Sequence, residues 1–246
     1  MRALLGAVSL SLASMMVMAE GNAVTYTVNG QEYEGYYVSS SPDAPLVLLV
    51  HDWDGLTDYE IKRAEMLSDL GYDVFAADLF GAGVRPTELE DKRQHTGELY
   101  KDREKMRVLM NGALDAARAQ GAQTDNVVAA GYCFGGAAVL ELARSGAPMA
   151  GFATFHGGLS TPEGQNYSTA KGKVLIMHGS ADAAISLNDF ATLGAELETA
   201  SVSHEMITYS GAPHGFTVFG ADSYREEADK QSWKRFASFL DEQLGY

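Results

Sequence analysis

The sequence has 246 residues, with 18 Lys and Arg against 33 Asp and Glu, a formal charge of −15 at neutral pH. Such a field repels phosphate backbones and anionic lipid surfaces, which argues against nucleic-acid and membrane partners. A single cysteine, Cys133, excludes an intramolecular disulfide and any metal site built from several thiolates.

Residues 1–19 carry one basic residue and then an apolar, small-residue run ending Val17-Met18-Ala19. This is the pattern of a secretory signal peptide cut after Ala19; the run is short for a membrane span and lacks a basic stop. The expectation is an exported, periplasmic protein without stable membrane insertion, whose residues 20–246 form one domain.

Residues 24–38 alternate in β fashion on either side of Asn29-Gly30, the pair that a type I′ turn demands, so an N-terminal hairpin is expected. PLVLLV, 45–50, reads as a strand buried on both faces. A helix follows over 59–71, then a strand over 72–80. Residues 81–105 are rich in Gly, Pro and charge and read as a loop or mobile cap. Helix 103–121 and strand 126–132 come next, then helix 134–146, strand 149–157, strand 173–179, helix 187–200, strand 203–210 and a last helix over 223–243. The repeated β–α order implies an α/β fold with a mostly parallel central sheet flanked by helices.

In open parallel sheets, reacting groups gather at the carboxyl ends of strands. Three titratable residues occupy such places. Cys133 lies in Gly131-Tyr132-Cys133-Phe134-Gly135, the cysteine form of the G-x-S-x-G nucleophile elbow. The glycines allow a sharp strand-to-helix turn, and the helix N-terminus is expected to favour the thiolate. Asp182 follows the strand KVLIMHG, and His214 follows SHEMITYS. Nucleophile, acid, histidine is the chain order of an α/β-hydrolase. In that arrangement His214 removes the thiol proton and Asp182 holds its tautomer. Among the other histidines, His178 reads as a satisfied, partly buried ring, His156 as a pocket residue, and His95 and His204 as exposed. No pair has metal-ligand spacing, so neither a metal nor another cofactor is expected.

LVLLVHDWDGL, GYDVFAADLFG, VVAAGYCFGGAA, VLIMHGSADAAI and APHGF together make the chain, from about residue 24 to 243, resemble the dienelactone hydrolase family. The resemblance implies an α/β-hydrolase fold and cysteine-based hydrolysis of a small-molecule ester or lactone. It also implies an oxyanion hole from the backbone N–H groups of Phe134 and Trp53. Asp52 stands where the family often has a glutamate facing the resting thiol. Two arginines that hold a substrate carboxylate in the family fall at Val218 and near Ala82, with Arg85 three residues on. Their loss points to a neutral or more apolar ester, lactone or thioester. Trp53, Phe80, Phe134 and Phe216 are the expected pocket walls. An acyltransferase or peptide hydrolase on the same three residues, or a non-catalytic envelope binding protein, are the alternatives. A monomer or weak dimer is expected.

Overall fold

In the computed structural model, which describes residues 21–245, the apolar runs assemble into one eight-stranded sheet. The expected signal peptide lies outside the described residues. Strands β1 (Asn22–Val28) and β2 (Gln31–Val38) form the hairpin, and Asn29 and Gly30 both take positive φ, 51° and 80°, as a type I′ turn requires. The hairpin packs antiparallel on β4 (Asp73–Ala77), which pairs parallel with β3 (Pro45–Val50). On the other side of β3 the sheet continues with β5 (Gln123–Tyr132), β6 (Gly151–Phe155), β7 (Lys173–Gly179) and β8 (His204–Tyr209), all parallel.

All six residues of β3 are buried because both faces of the sheet are covered. Leu46, Leu48 and Val50 face the cluster under helices α3 (Arg103–Ala119), α4 (Phe134–Arg144) and α5 (Leu187–Thr199). Val47 and Leu49 face the opposite cluster, under α1 (Asp58–Ser68) and α6 (Glu226–Leu244). Among the described residues no helix is long and apolar enough to cross a membrane.

The strand order reverses at β3, with β4 on one side and β5 on the other. Ligand crevices in such sheets open at this reversal, outside the carboxyl ends of the two diverging strands. Val50 pairs with Gly131 in register, so the HDW loop leaving β3 and the turn leaving β5 emerge side by side.

One expected loop is a helix. Within 81–105 the chain forms α2 (Leu89–Lys101), of which only Thr96 and Leu99 are buried. Two buried residues in four turns leave no apolar stripe for a sequence pattern to show. The contacts that hold the helix are aromatic and distant in sequence: His95 stacks on Phe80 at 5.2 Å and Tyr100 packs edge-on to Phe134 at 5.5 Å. His95 and His204, expected to be exposed, are half-buried.

Candidate active site

The chain leaves β5 at Tyr132 and enters α4 at Phe134, so the whole turn falls on Cys133, with φ 49° and ψ −109°. A non-glycine residue in this region costs on the order of 1–3 kcal/mol and persists only where its surroundings hold it. Here the Cys133 N–H donates to Phe155 O at 3.0 Å, and its carbonyl accepts from Ala137 N and Gly158 N, each at 3.3 Å. The sulfur is thereby fixed at the crest of the turn.

Asp182 and His214 reach the same place from β7 and β8. The two connections are zipped together, Ala181 N donating to Ala212 O at 3.0 Å. Asp182 Oδ1 accepts from the amides of Ala184 and Ile185, both at 2.8 Å, and Oδ2 lies 2.8 Å from His214 Nδ1. His214 Nε2 is 3.1 Å from Cys133 Sγ. Burial alone would raise the Asp182 carboxyl, but the His214 hydrogen bond and the two amides outweigh it and hold the group below the usual carboxylate range. An ionised Asp182 can only accept, so Nδ1 carries the proton and Nε2 turns a lone pair to the sulfur.

Burial, and then the Asp52 carboxyl, push Cys133 well above the ordinary thiol range, overriding the Phe134 amide, which lowers it. The expectation that the helix N-terminus favours thiolate is therefore corrected: one amide and a helix dipole do not offset desolvation beside a carboxyl.

The HDW loop is braced on three sides. His51 Nδ1–H donates to Asp52 O at 2.6 Å while Nε2 accepts from Leu79 N at 3.1 Å, which ties the end of β3 to the end of β4. Glu60 Oε1 accepts the Asp52 amide at 3.3 Å. Its Oε2 accepts from Thr57 N and Oγ1, both at 2.9 Å, in a capping box that starts α1. The Trp53 N–H, by contrast, has no acceptor among the described residues, and the indole is 37% exposed.

Asp52, Asp54 and Glu60 bring carboxyl oxygens within 4.8 Å of one another. Amide and hydroxyl donors already engage both oxygens of Glu60 and Oδ1 of Asp52, which accepts from Asp54 N at 3.0 Å. Burial and the neighbouring acids Asp54 and Glu60 push the Asp52 carboxyl up to about 9. Asp52 and Cys133 thus compete for negative charge. Asp52→Asn removes one competitor, so the midpoint of the pH dependence of Cys133 alkylation by iodoacetamide is expected to fall. An unchanged midpoint would show that Asp52 does not act on the sulfur.

The remaining expected residues divide. Phe80 and Phe134, both buried, pack against His51 and each other, Phe80 lying 5.5 Å from Phe134 and 4.6 Å from His51. Phe216 is not a wall; it is fully buried behind His156 and Tyr209. Arg85 turns toward Asp78 and Glu34, at 3.8 and 3.7 Å, and lines a cavity near α1 with Tyr36 and Thr57. His156 is fully buried, its ring 5.3 Å from that of His214. His178, expected to be satisfied, is fully buried against Phe190, with neither ring nitrogen in a regular hydrogen bond among the described residues. Unforeseen neighbours are Tyr100, 37% exposed, and Lys92, whose Nζ lies 5.3 Å from the Trp53 ring and 3.5 Å from Asp54. Both stand on the helix that lacks an apolar stripe. His51 and Glu60 were also unforeseen, although Thr57-x-x-Glu60 is a capping-box spacing.

The model of the dienelactone hydrolase family matches residues 34–244. Among solved structures, a dienelactone hydrolase-like promiscuous phosphotriesterase from metagenomic libraries is 29% identical, with TM-score 0.85, covering 92% of this chain and 99% of its own. A protein named m3DLH is 30% identical, with TM-score 0.84 and the same coverage. A putative dienelactone hydrolase from Klebsiella pneumoniae, 19% identical with TM-score 0.80 over 90% and 98% of the two chains, shares the fold. No curated protein matches significantly. With the match to the family model spanning most of its length and these structural likenesses, the chain belongs to the dienelactone hydrolase family and is an esterase-like hydrolase.

Proposed function

We propose that the protein hydrolyses a small neutral ester, lactone or thioester through Cys133, His214 and Asp182, by way of an acyl-cysteine. The observation that carries this reading is the continuous line from Asp182 Oδ2 through His214 to Cys133 Sγ, at 2.8 and 3.1 Å. His214 Nε2 takes the thiol proton as sulfur attacks the carbonyl carbon. The ring becomes imidazolium beside the ionised Asp182, and the carbonyl oxygen takes up the negative charge. The amides of Phe134 and Trp53 receive that oxyanion, each donor lowering the barrier by about 3–4 kcal/mol. On collapse the bond to the leaving oxygen or sulfur breaks, and His214 returns its proton to that atom. Water, deprotonated by the same nitrogen, then attacks the acyl-cysteine and restores the thiol.

The neutrality of the substrate follows from what the site lacks in fixed cations. Val218 stands where a carboxylate clamp would be, Arg85 is engaged by Asp78 and Glu34, and Lys92 by Asp54. In this reading residues 1–19 are removed on export and residues 20–246 act as one domain.

Iodoacetamide titration against a panel of aryl esters, lactones, thioesters and a neutral aryl phosphotriester tests the assignment. Stoichiometric labelling of Cys133 is expected to remove hydrolysis in proportion. Full activity in the labelled protein would sink the cysteine mechanism. A protein that labels but turns over nothing in the panel would instead be a binding protein on a hydrolase fold.

A further inference from the structure

The loop that carries His214 is fastened three residues further on, at Thr217, which is fully buried. Its hydroxyl lies 2.6 Å from Tyr59 Oη and 2.8 Å from His156 Nε2, and its carbonyl accepts from Arg63 Nη2 at 2.8 Å. Arg63 Nε lies 3.3 Å from the same Tyr59 oxygen.

The guanidinium only donates, so Tyr59 Oη accepts from it. Thr217 Oγ1 then bridges that phenol to His156 Nε2, making one hydrogen-bonded chain from Arg63 to the ring. Burial, and then the nearness of His214, favour the uncharged state of His156. The head of the chain is held firmly: Arg63 is fully buried, paired with Asp229 of α6, and its guanidinium lies 4.1 Å from the Phe219 ring and 5.0 Å from the Trp233 ring. At the other end, the His156 ring stands edge-on behind His214, their centroids 5.3 Å apart and their planes at 64°. His156 itself holds a φ of 41°, a left-handed conformation that a non-glycine residue keeps only when its surroundings impose it.

We propose that Arg63, Tyr59 and Thr217 are positioning residues that lock the His156 ring behind His214 and so aim the Nε2 of His214 at the Cys133 sulfur. The inference rests on the hydrolase reading for its meaning, but its geometry concerns only the Cys133–His214 pair. Two requirements are met at once. The ring behind His214 cannot swing, because its only hydrogen-bonded nitrogen is tied to the histidine's own loop. Nor does it compete for the proton that His214 must carry, because burial beside His214 disfavours a charge on it. The titratable and charged groups facing His156 are His214 and Asp182 on the loops, Arg63 and Tyr59 on α1, and Tyr132 on β5. Of these, only Asp182 would draw a proton onto the ring, and its carboxylate is already bonded to His214.

The test compares Thr217→Val, which keeps the shape and removes the hydroxyl, with Thr217→Ser, which restores it. In Thr217→Val, kcat for an aryl ester is expected to fall about ten- to a hundredfold with KM within about twofold, the signature of lost alignment rather than lost binding. The rate of Cys133 alkylation at pH 7.5 is expected to fall in parallel, and Thr217→Ser to recover most of both. Unchanged kcat and alkylation in Thr217→Val would overturn the proposal, as would equal losses in the valine and serine variants. Should Thr217→Val fail to fold, Tyr59→Phe removes the phenolic oxygen that joins Arg63 to Thr217 while leaving the Thr217–His156 contact, and a smaller loss in the same direction is expected; no loss would overturn the proposal. The alkylation rate needs no substrate, so it reports on this proposal even if the wild-type protein turns over no ester.

Discussion

Cys133→Ala is expected to lower hydrolysis of an aryl ester by about 10⁴-fold or more while leaving the far-ultraviolet circular dichroism spectrum unchanged. Removing a nucleophile that works as a unit with its histidine costs nearly the whole covalent route, and what remains is binding and oxyanion stabilisation. Alanine retains the Cβ, so the turn keeps its φ of 49° and the hydrogen bonds from Cys133 N to Phe155 O and from Gly158 N to Cys133 O are untouched. Ser180, Ser210 and Ser223 all lie near the two loops in sequence, but none has the line to His214 Nε2 that the sulfur has. Wild-type rates in Cys133→Ala would place the chemistry elsewhere.

Gly135→Ala is expected to be severely destabilising. A Cβ at Gly135 would overlap Val50 O and lie 2.5 Å from His51 O. Both are backbone atoms of the strand end and loop that lead to Trp53, and neither can rotate away. Helix α4 would have to back out of the crevice or β3 would have to bend. Such overpacking places the change in the severe class, at least about 4 kcal/mol. In a chain of this size that corresponds to a fall in Tm of roughly 10 °C or more by thermal melt. Gly211→Ala is the control: its φ is 69°, but a Cβ there would meet nothing within 4 Å, so only the left-handed backbone penalty of about 1–2 kcal/mol applies. Equal melting temperatures for the two variants would show that the approach of α4 to β3 is not the constraint.

Why the first part of this site could be read from residues and the second could not is a matter of range. Asn29-Gly30, the run PLVLLV and the glycines around Cys133 act on their immediate neighbours. Turn type, two-sided burial and the elbow therefore follow from a few adjacent letters. The order Cys133, Asp182, His214 is legible for a related reason, since each residue lies at or a few positions beyond the carboxyl end of a strand. Helix α2 escaped because its fixing contacts, His95 on Phe80 and Tyr100 on Phe134, are made by residues that sit in no apolar repeat. The thiolate expectation failed because it weighed the local helix end without the burial of the sulfur and, after it, the Asp52 carboxyl that arrives from a different strand.

By itself, then, the sequence determined the hairpin, the alternating strands and helices, the glycine-flanked cysteine and the family. Tertiary structure alone decided what surrounds the sulfur. The His51–Leu79 bond joins residues 28 apart, Arg63 and Thr217 are 154 apart, and Tyr59 and Thr217 are 158 apart. No local pattern encodes a partner at such distances, because the partners meet only once the sheet and the helix and loop at its carboxyl edge have assembled.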